Sequence, residues 1–319
     1  MHPMLFVRIV VALIMLSLAA DPAAAETNLK ASEPVRYFGN MPIYTAVEAG
    51  FFKQKGISLE IITMRGGPAA TNALISGDVD LVTGALEQAL KMKAKGQEIK
   101  VIASIQHKSP FAIVVPVDSP VKSLADLKSK TIGVTAVGSS SDVQLRGYMR
   151  QQGMDPERDF QIAGLGPSIL PAFERGQIPA AIMLAPALTK VLADKKARTI
   201  ADFRQQPYHT MAIIVRTADV AGPKAAALKG VVQAMSAAQK ALYDDPALAP
   251  RVAKAYFPDI DPTLMEQMIR AEVQQYASFP KDAKVSRDGY DNVVQTLILI
   301  KELDKPIKYE DLVVTSFTD

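Results

Sequence analysis

From residue 57 to residue 215 short apolar runs alternate with helical patterns, and nothing else in the chain limits its fold as strongly. Residues 57–62, 79–83, 99–105, 111–117, 131–135, 160–163, 180–184 and 211–215 read as strands, with 35–38 ahead of them as the first. Residues 43–52, 68–76, 85–95, 140–152 and 167–175 read as helices between them. Pro68 stands just inside one helix start, and Gly50, Gly77, Gly96, Gly153 and Gly176 stand at helix ends, the usual asymmetry of these two residues. Ser123 and Asp126 fit a capping box opening a short helix. Such alternation implies α/β structure in which mostly parallel sheets are covered on both faces.

After Gly222 the pattern becomes helical throughout, over 224–243, 246–256, 262–279 and 287–303, broken at Asp-Pro, Phe-Pro and Lys-Pro. Leu228, Val231, Val232, Met235 and Leu242 recur at helical spacing, as do Met265, Met268, Ile269 and Val273, and read as core packing. The α/β part also echoes itself. Ser76-Gly77-Asp78-Val79-Asp80-Leu81-Val82 resembles Arg175-Gly176-Gln177-Ile178-Pro179-Ala180-Ala181, each a helix stop followed by a turn into an apolar strand. Two similar units imply two lobes with a cleft between them, and ligands of open parallel sheets bind beyond the carboxyl ends of the strands.

Composition excludes several functions. The net charge is only +3 and the basic residues are dispersed, so the stripe a nucleic-acid binder needs is missing. The chain has no Cys, which removes disulfides, thiolate metal sites, iron–sulfur clusters and cysteine nucleophiles together. Residues 1–25 read as a signal peptide. Arg8 is weakly positive, 9–20 is an apolar run broken by Ser17, and Ala23-Ala24-Ala25 supplies small residues before a cleavage expected at Ala25-Glu26. The run falls short of the ~20 apolar residues of a membrane span. The expectation is a soluble exported protein.

The sharpest chemical feature is the loop 138–142, where Gly138, Ser139, Ser140, Ser141 and Asp142 precede a helix. A glycine, three hydroxyls and free helix N–H groups suit an anion, and Ser and Asp equally suit an ordinary N-cap. Gly66-Gly67 before Pro68, and Gly166-Pro167-Ser168 before Ile169, have the same form. Enzymatic signatures are missing. Asp142 stands where a nucleophile elbow needs Gly, and there is no His-Glu-x-x-His, metal-ligand cluster or phosphate-binding P-loop. His107 and His209 read as loop residues without an acidic partner, Asp78 and Asp80 as turn caps, and Lys91, Lys93 and Lys95 as a solvated helix end. No metal and no cofactor is expected.

Gly50-Phe51-Phe52-Lys53-Gln54-Lys55-Gly56-Ile57, Gly66-Gly67, Ala73-Leu74-Ile75-Ser76-Gly77-Asp78-Val79-Asp80, the stretch 122–133, Gly138-Ser139-Ser140-Ser141 and Gly176-Gln177 occur in one order. In that order the chain resembles the nitrate/sulfonate/taurine-type solute-binding proteins of ABC importers, which share their fold with thiamine-pyrimidine precursor synthases. The resemblance covers residues 33 to about 217. It implies a periplasmic-binding-protein fold of the second type, two α/β lobes joined by two crossing strands with a helical C-terminal tail. Residues 26–115 would begin lobe 1, 116–213 would form lobe 2, and 214–319 would complete lobe 1.

It further implies a monomeric periplasmic receptor, not an enzyme. The receptor would hold a small anionic or zwitterionic, sulfonate-like solute in the cleft and pass it to an ABC permease with its ATPase. The ligand would lie against Gly39, Asn40 and Met41, against Gly66 and Gly67, Thr83 and Gly84, Ser139, Ser140 and Ser141, with Ser168 and Pro186 facing it. The alternatives are a pyrimidine-synthase-like enzyme and an exported sensory receptor. Three departures stand out: Pro179 where Gly-Gln-Val-Asp is common, no Cys-rich motif of the synthases, and no Arg or Trp in the loop 38–42, so that an anion would rely on backbone amides and hydroxyls unless Arg36, Arg65 or Arg146 swings in.

Overall fold

The computed structural model describes residues 26–318; the expected signal peptide, 1–25, lies outside the described residues. Among the described residues ten strands form two sheets. They are β1 (Thr27–Glu33), β2 (Ile57–Thr63), β3 (Leu81–Ala85), β4 (Ile99–Lys108), β5 (Ala112–Pro116), β6 (Thr131–Val134), β7 (Gln161–Gly164), β8 (Ala180–Met183), β9 (Ala197–Asp202) and β10 (Pro207–Arg216). The first sheet has the order β2-β1-β3-β10-β4 and the second β7-β6-β8-β5-β9. In the first, β1 runs parallel to β2 and β3, while β10 runs antiparallel to β3 and β4. In the second, β6 runs parallel to β7 and β8, while β5 runs antiparallel to β8 and β9. The repeated plan is the structural form of the echo in the sequence.

The expected division at 115/116 and 213/214 cuts two strands. Ala112–Pro116 pairs entirely in the second sheet and Pro207–Arg216 entirely in the first. The chain therefore crosses between sheets at 109–111 and returns at 203–206, outside the apolar runs. Those runs are buried in either sheet, so their composition does not say which partners they take. The first strand also differs from expectation. It is β1, and 35–38 belongs to a turn that ends in the 3-10 helix Phe38–Asn40. In Thr27–Glu33 only Leu29 and Ala31 are apolar, and its pairing on both sides by β1's neighbours makes it a strand. His107 and His209, expected in loops, lie within β4 and β10.

Helices cover both faces. The first sheet is packed between one cluster built on Leu29, Ile43, Ile213, Val231 and Met235 and another built on Leu74, Leu90, Ile214, Tyr290 and Leu297. The tail supplies Ala225–Asp244, Leu248–Tyr256, Pro262–Ile269 and Arg287–Leu299, whose buried residues pack into these two clusters. The predicted helix 262–279 widens into a π-helix at Arg270–Gln275.

The lobes also touch. Val143, from the second-lobe helix Ser140–Gln151, packs within the first-lobe cluster of Ile214 and Val293. A Cβ on Gly147 of that helix would stand 2.6 Å from Thr296 Cγ2, closer than side chains tolerate, so this glycine sets how near Arg287–Leu299 can approach. Gly147→Ala is expected to destabilise the protein by ~1–3 kcal/mol. Adding Thr296→Ala should restore most of the loss in a double-mutant cycle measured by denaturant unfolding; strictly additive effects would mean that the contact does not limit the approach.

Candidate functional site

The carboxyl ends of β1, β2 and β3 converge on a buried carboxylate. Glu33 closes β1 with no solvent exposure, and isolating its charge there would be prohibitive. Four donors surround it. Oε1 accepts from Thr63 Oγ1 at 2.6 Å and faces Arg36 Nε at 3.0 Å, while Oε2 accepts from Asn40 Nδ2 at 3.1 Å and from the Tyr44 hydroxyl. Burial and the adjacent Glu33 charge hold the Tyr44 hydroxyl well above its ordinary pKa. Asn40 also donates to Thr83 Oγ1 at 3.2 Å, which ties the loop after β1 to β3. Arg36 gives a further bond to Thr63 and lies over the stacked rings of Tyr44 and Tyr256. Its guanidinium is thus held at the rim of the first lobe with about two-fifths of its side chain exposed (39%).

The matching end of the second sheet carries hydroxyls. Thr135 Oγ1, Ser139 Oγ and Ser141 Oγ lie within 2.8–2.9 Å of one another. Ser141 Oγ also accepts from the Thr135 N–H, and Ser139 Oγ donates to the Ala136 carbonyl at 2.7 Å. Ser139 is the N-cap of Ser140–Gln151, yet its side chain takes none of that helix's N–H groups. The helix therefore presents free donors and the positive end of its dipole at this loop. Asp142 turns away, accepting from Gly138 N and pairing with Arg146 at 2.7 Å.

The first lobe grips this loop. Gln88 Nε2 and Lys91 Nζ donate to the Gly138 carbonyl at 3.4 and 3.3 Å, and Lys91 also pairs with Glu302 at 2.8 Å. Lys91 is thus an inter-lobe residue rather than the solvated helix end expected. Beside it Glu87 is fully buried, near Ser140 and Tyr208, and neither of its oxygens reaches a hydrogen-bond partner. Burial pushes its carboxyl up to about 7, with Ser140 and Lys91 opposing the shift.

With this geometry the chain can be set beside known proteins. The family described as NMT1/THI5 like matches residues 38–249. The chain belongs to the NMT1/THI5-like family. One curated relative is the 4-amino-5-hydroxymethyl-2-methylpyrimidine phosphate synthase THI12 of Saccharomyces cerevisiae. It is 28% identical over 152 residues, which are 47% of this chain and 43% of that protein. The match therefore spans less than half of the relative. Among solved structures, the periplasmic aliphatic sulphonate binding protein SsuA of Escherichia coli gives a TM-score of 0.75 at 18% identity, over 90% of this chain and 92% of that one. The alkanesulfonate-binding SsuA of Xanthomonas axonopodis pv. citri, bound to MOPS, gives 0.72 at 20% identity, over 93% and 99%. At such identities the likeness establishes the fold, and the expected periplasmic-binding-protein architecture with a helical C-terminal region is borne out.

Within this family fold the anticipated residues divide. Asn40 and Thr83 meet in the Glu33 network, and Ser139 and Ser141 meet in the hydroxyl cluster, with Ser140 beside Glu87. Met41 is buried in the first-lobe core, and Gly84 is buried in β3 against Ile214. Gly39 is buried too. A Cβ there would meet the Tyr37 ring at 2.2 Å, so its role is to let that ring close over the loop. Gly66 and Gly67 open the helix Gly67–Ser76. Ser168 and Pro186 are exposed at the ends of β7 and β8, and no hydrogen bond among the described residues links them to the hydroxyls. Arg36 was anticipated only as one of three arginines that could reach an anion, and Glu33, Thr63, Thr135, Glu87 and Lys91 were not anticipated as site residues. Glu33, Arg36 and Thr63 follow once β1 is placed at Thr27–Glu33, because each then stands at or just beyond a parallel strand's carboxyl end. His107 Nε2 donates to the Ala277 carbonyl at 2.9 Å, and burial lowers its pKa.

The shift at Glu87 fixes a pH dependence. The folded protein keeps a proton that the unfolded chain loses near pH 4.5, so stability declines as pH rises from about 4.5 to about 7 and is level beyond. Glu87→Gln should abolish that slope and stabilise the protein above pH 7 by up to about 3 kcal/mol, read by urea unfolding across pH. An unchanged slope would assign the linkage to another group.

Proposed function

We propose that the chain is the solute receptor of an ABC importer, exported to the periplasm behind residues 1–25. It captures a small organic anion or zwitterion of sulfonate or carboxylate type between the lobes. The observation that carries this reading is a polar, anion-suited cluster at the strand ends of each lobe. An arginine held by a buried carboxylate stands on one lobe, and an uncapped helix N-terminus with its hydroxyl cluster stands on the other. Helix donors and hydroxyls bind an oxyanion without a full countercharge, and Arg36 offers one at the rim. The solute-binding neighbours support the same use of the fold. In this reading the monomer delivers its cargo to a permease driven by an ATPase, and closure of the lobes presents the surface the permease reads.

The second reading is a pyrimidine-synthase-like enzyme, and the names of the curated relatives favour it. A reactive histidine would distinguish the two. His107→Asn would abolish turnover in the enzyme reading, whereas it leaves solute binding intact in the receptor reading.

The receptor reading is tested by thermal or chemical unfolding with alkanesulfonates, taurine, nitrate and aromatic carboxylates. A true ligand at ~100 times its dissociation constant should add ~2.7 kcal/mol. Replacing Ser139, Ser140 and Ser141 together by Ala should weaken its binding at least about tenfold while the protein remains folded. Silence across the whole panel would sink this ligand class, and unaltered affinity in the variant would reduce the loop to a cap.

A further inference from the structure

A second recess lies apart from the hydroxyl loop, where elements of both lobes meet. Its walls are the body of Ser140–Gln151, the returning segment 203–208 and the last turns of Arg287–Leu299, and it encloses about 180 Å³. Five side-chain carboxamides line it, those of Gln144, Gln151, Gln206, Asn292 and Gln295. The rings of Tyr148 and Phe203, meeting edge to face with centroids 5.2 Å apart, give it an apolar wall. None of the described residues lining it carries a formal charge.

One of its buried polar groups lacks a partner. Gln144 is only 6% exposed, and its Oε1 accepts from Ser109 at 2.6 Å. That bond fixes the amide and leaves Nε2 without an acceptor. The Tyr208 hydroxyl, on a residue 7% exposed, lies beside Glu87 and Thr296 and so does not call for an occupant. Buried donors are rarely left unmatched, and each one that is calls for an occupant.

We infer that this recess is a second ligand site, for a small, uncharged, planar molecule bearing an amide. An ion entering it would lose its hydration with no countercharge to compensate. A flat ring can lie against Tyr148 and Phe203, and an amide can supply the carbonyl that Gln144 Nε2 requires while its NH₂ meets the neighbouring carboxamide oxygens. An occupant would touch the second lobe, the returning segment and the tail at once. It would therefore favour the lobe arrangement in which all three converge. This site does not depend on the importer reading.

Nicotinamide is a suitable probe, with nicotinate as its charged counterpart of the same shape, and calorimetry or ligand-observed NMR as the measurement. A fragment of this size should bind with a dissociation constant on the order of 1 mM. Nicotinate should bind at least about tenfold more weakly, and Gln144→Leu should cost about tenfold. Gln295→Trp, placed on an exposed helix position, fills the recess without disturbing the core and should remove binding with the melting temperature retained. The Ser139, Ser140 and Ser141 alanine variant should bind nicotinamide as the parent protein does. The proposal is overturned if neither probe binds, if nicotinate binds as well as nicotinamide, if Gln295→Trp leaves binding unaltered, or if the loss follows the serine variant.

Discussion

The insertion of β10 between β3 and β4 governs this molecule. The strand runs antiparallel to both neighbours and starts beside the end of β4, where Pro207 stands opposite Lys108. A hairpin could have joined the two strands; instead the chain leaves at one end of the sheet and returns to the same end. What it builds in between is the second sheet, which repeats the plan with β5 as its own reversed strand. Because β10 is buried along Ala212–Val215 on both faces, its position is fixed by packing as well as by hydrogen bonds. The segments 109–111 and 203–206 inherit their role as connections from that single placement.

At the carboxyl ends of their parallel strands the two lobes solve the problem of polar burial differently. The first surrounds one full negative charge with donors and adds an arginine, so Glu33 is satisfied and immobile. The second gathers neutral hydroxyls whose donors and acceptors close on themselves, which leaves the backbone N–H groups of a helix as its strongest unspent electrostatic feature. Glu87 belongs to neither arrangement. It is a carboxyl at a lobe interface whose burial is offset only by nearby dipoles and Lys91, and its raised pKa measures that shortfall.

Much of this was legible from residues alone. Gly77, Gly153 and Gly176 mark helix ends where the structure has them, and the predicted 140–152 helix is observed as Ser140–Gln151. The anion-suited loop and the two-lobed plan followed from spacing. What stayed hidden depended on partners distant in sequence. Thr27–Glu33 is too polar to declare itself a strand and owes that state to pairing with β2 and β3. Ala197–Asp202 was passed over for the same reason. Glu33 looks like any surface carboxylate until its strand is placed, and Lys91 resembles a solvated lysine because Glu302 reaches it across 211 residues. Local patterns report the local state of the backbone; whether a charged side chain is buried is decided by tertiary contacts.

The contiguity of the second sheet has a consequence for the order of folding. Its strands run from Ala112 to Asp202 without interruption, whereas the first sheet needs Pro207–Arg216 before β3 and β4 can be joined, and its outer helices come later still. As a chain emerges from its amino end, the middle lobe is the first unit able to close its contacts, and those contacts are the more local ones. The amino-terminal strands, though made first, must wait with their edges unpaired. The portion synthesised earliest is the last to be finished.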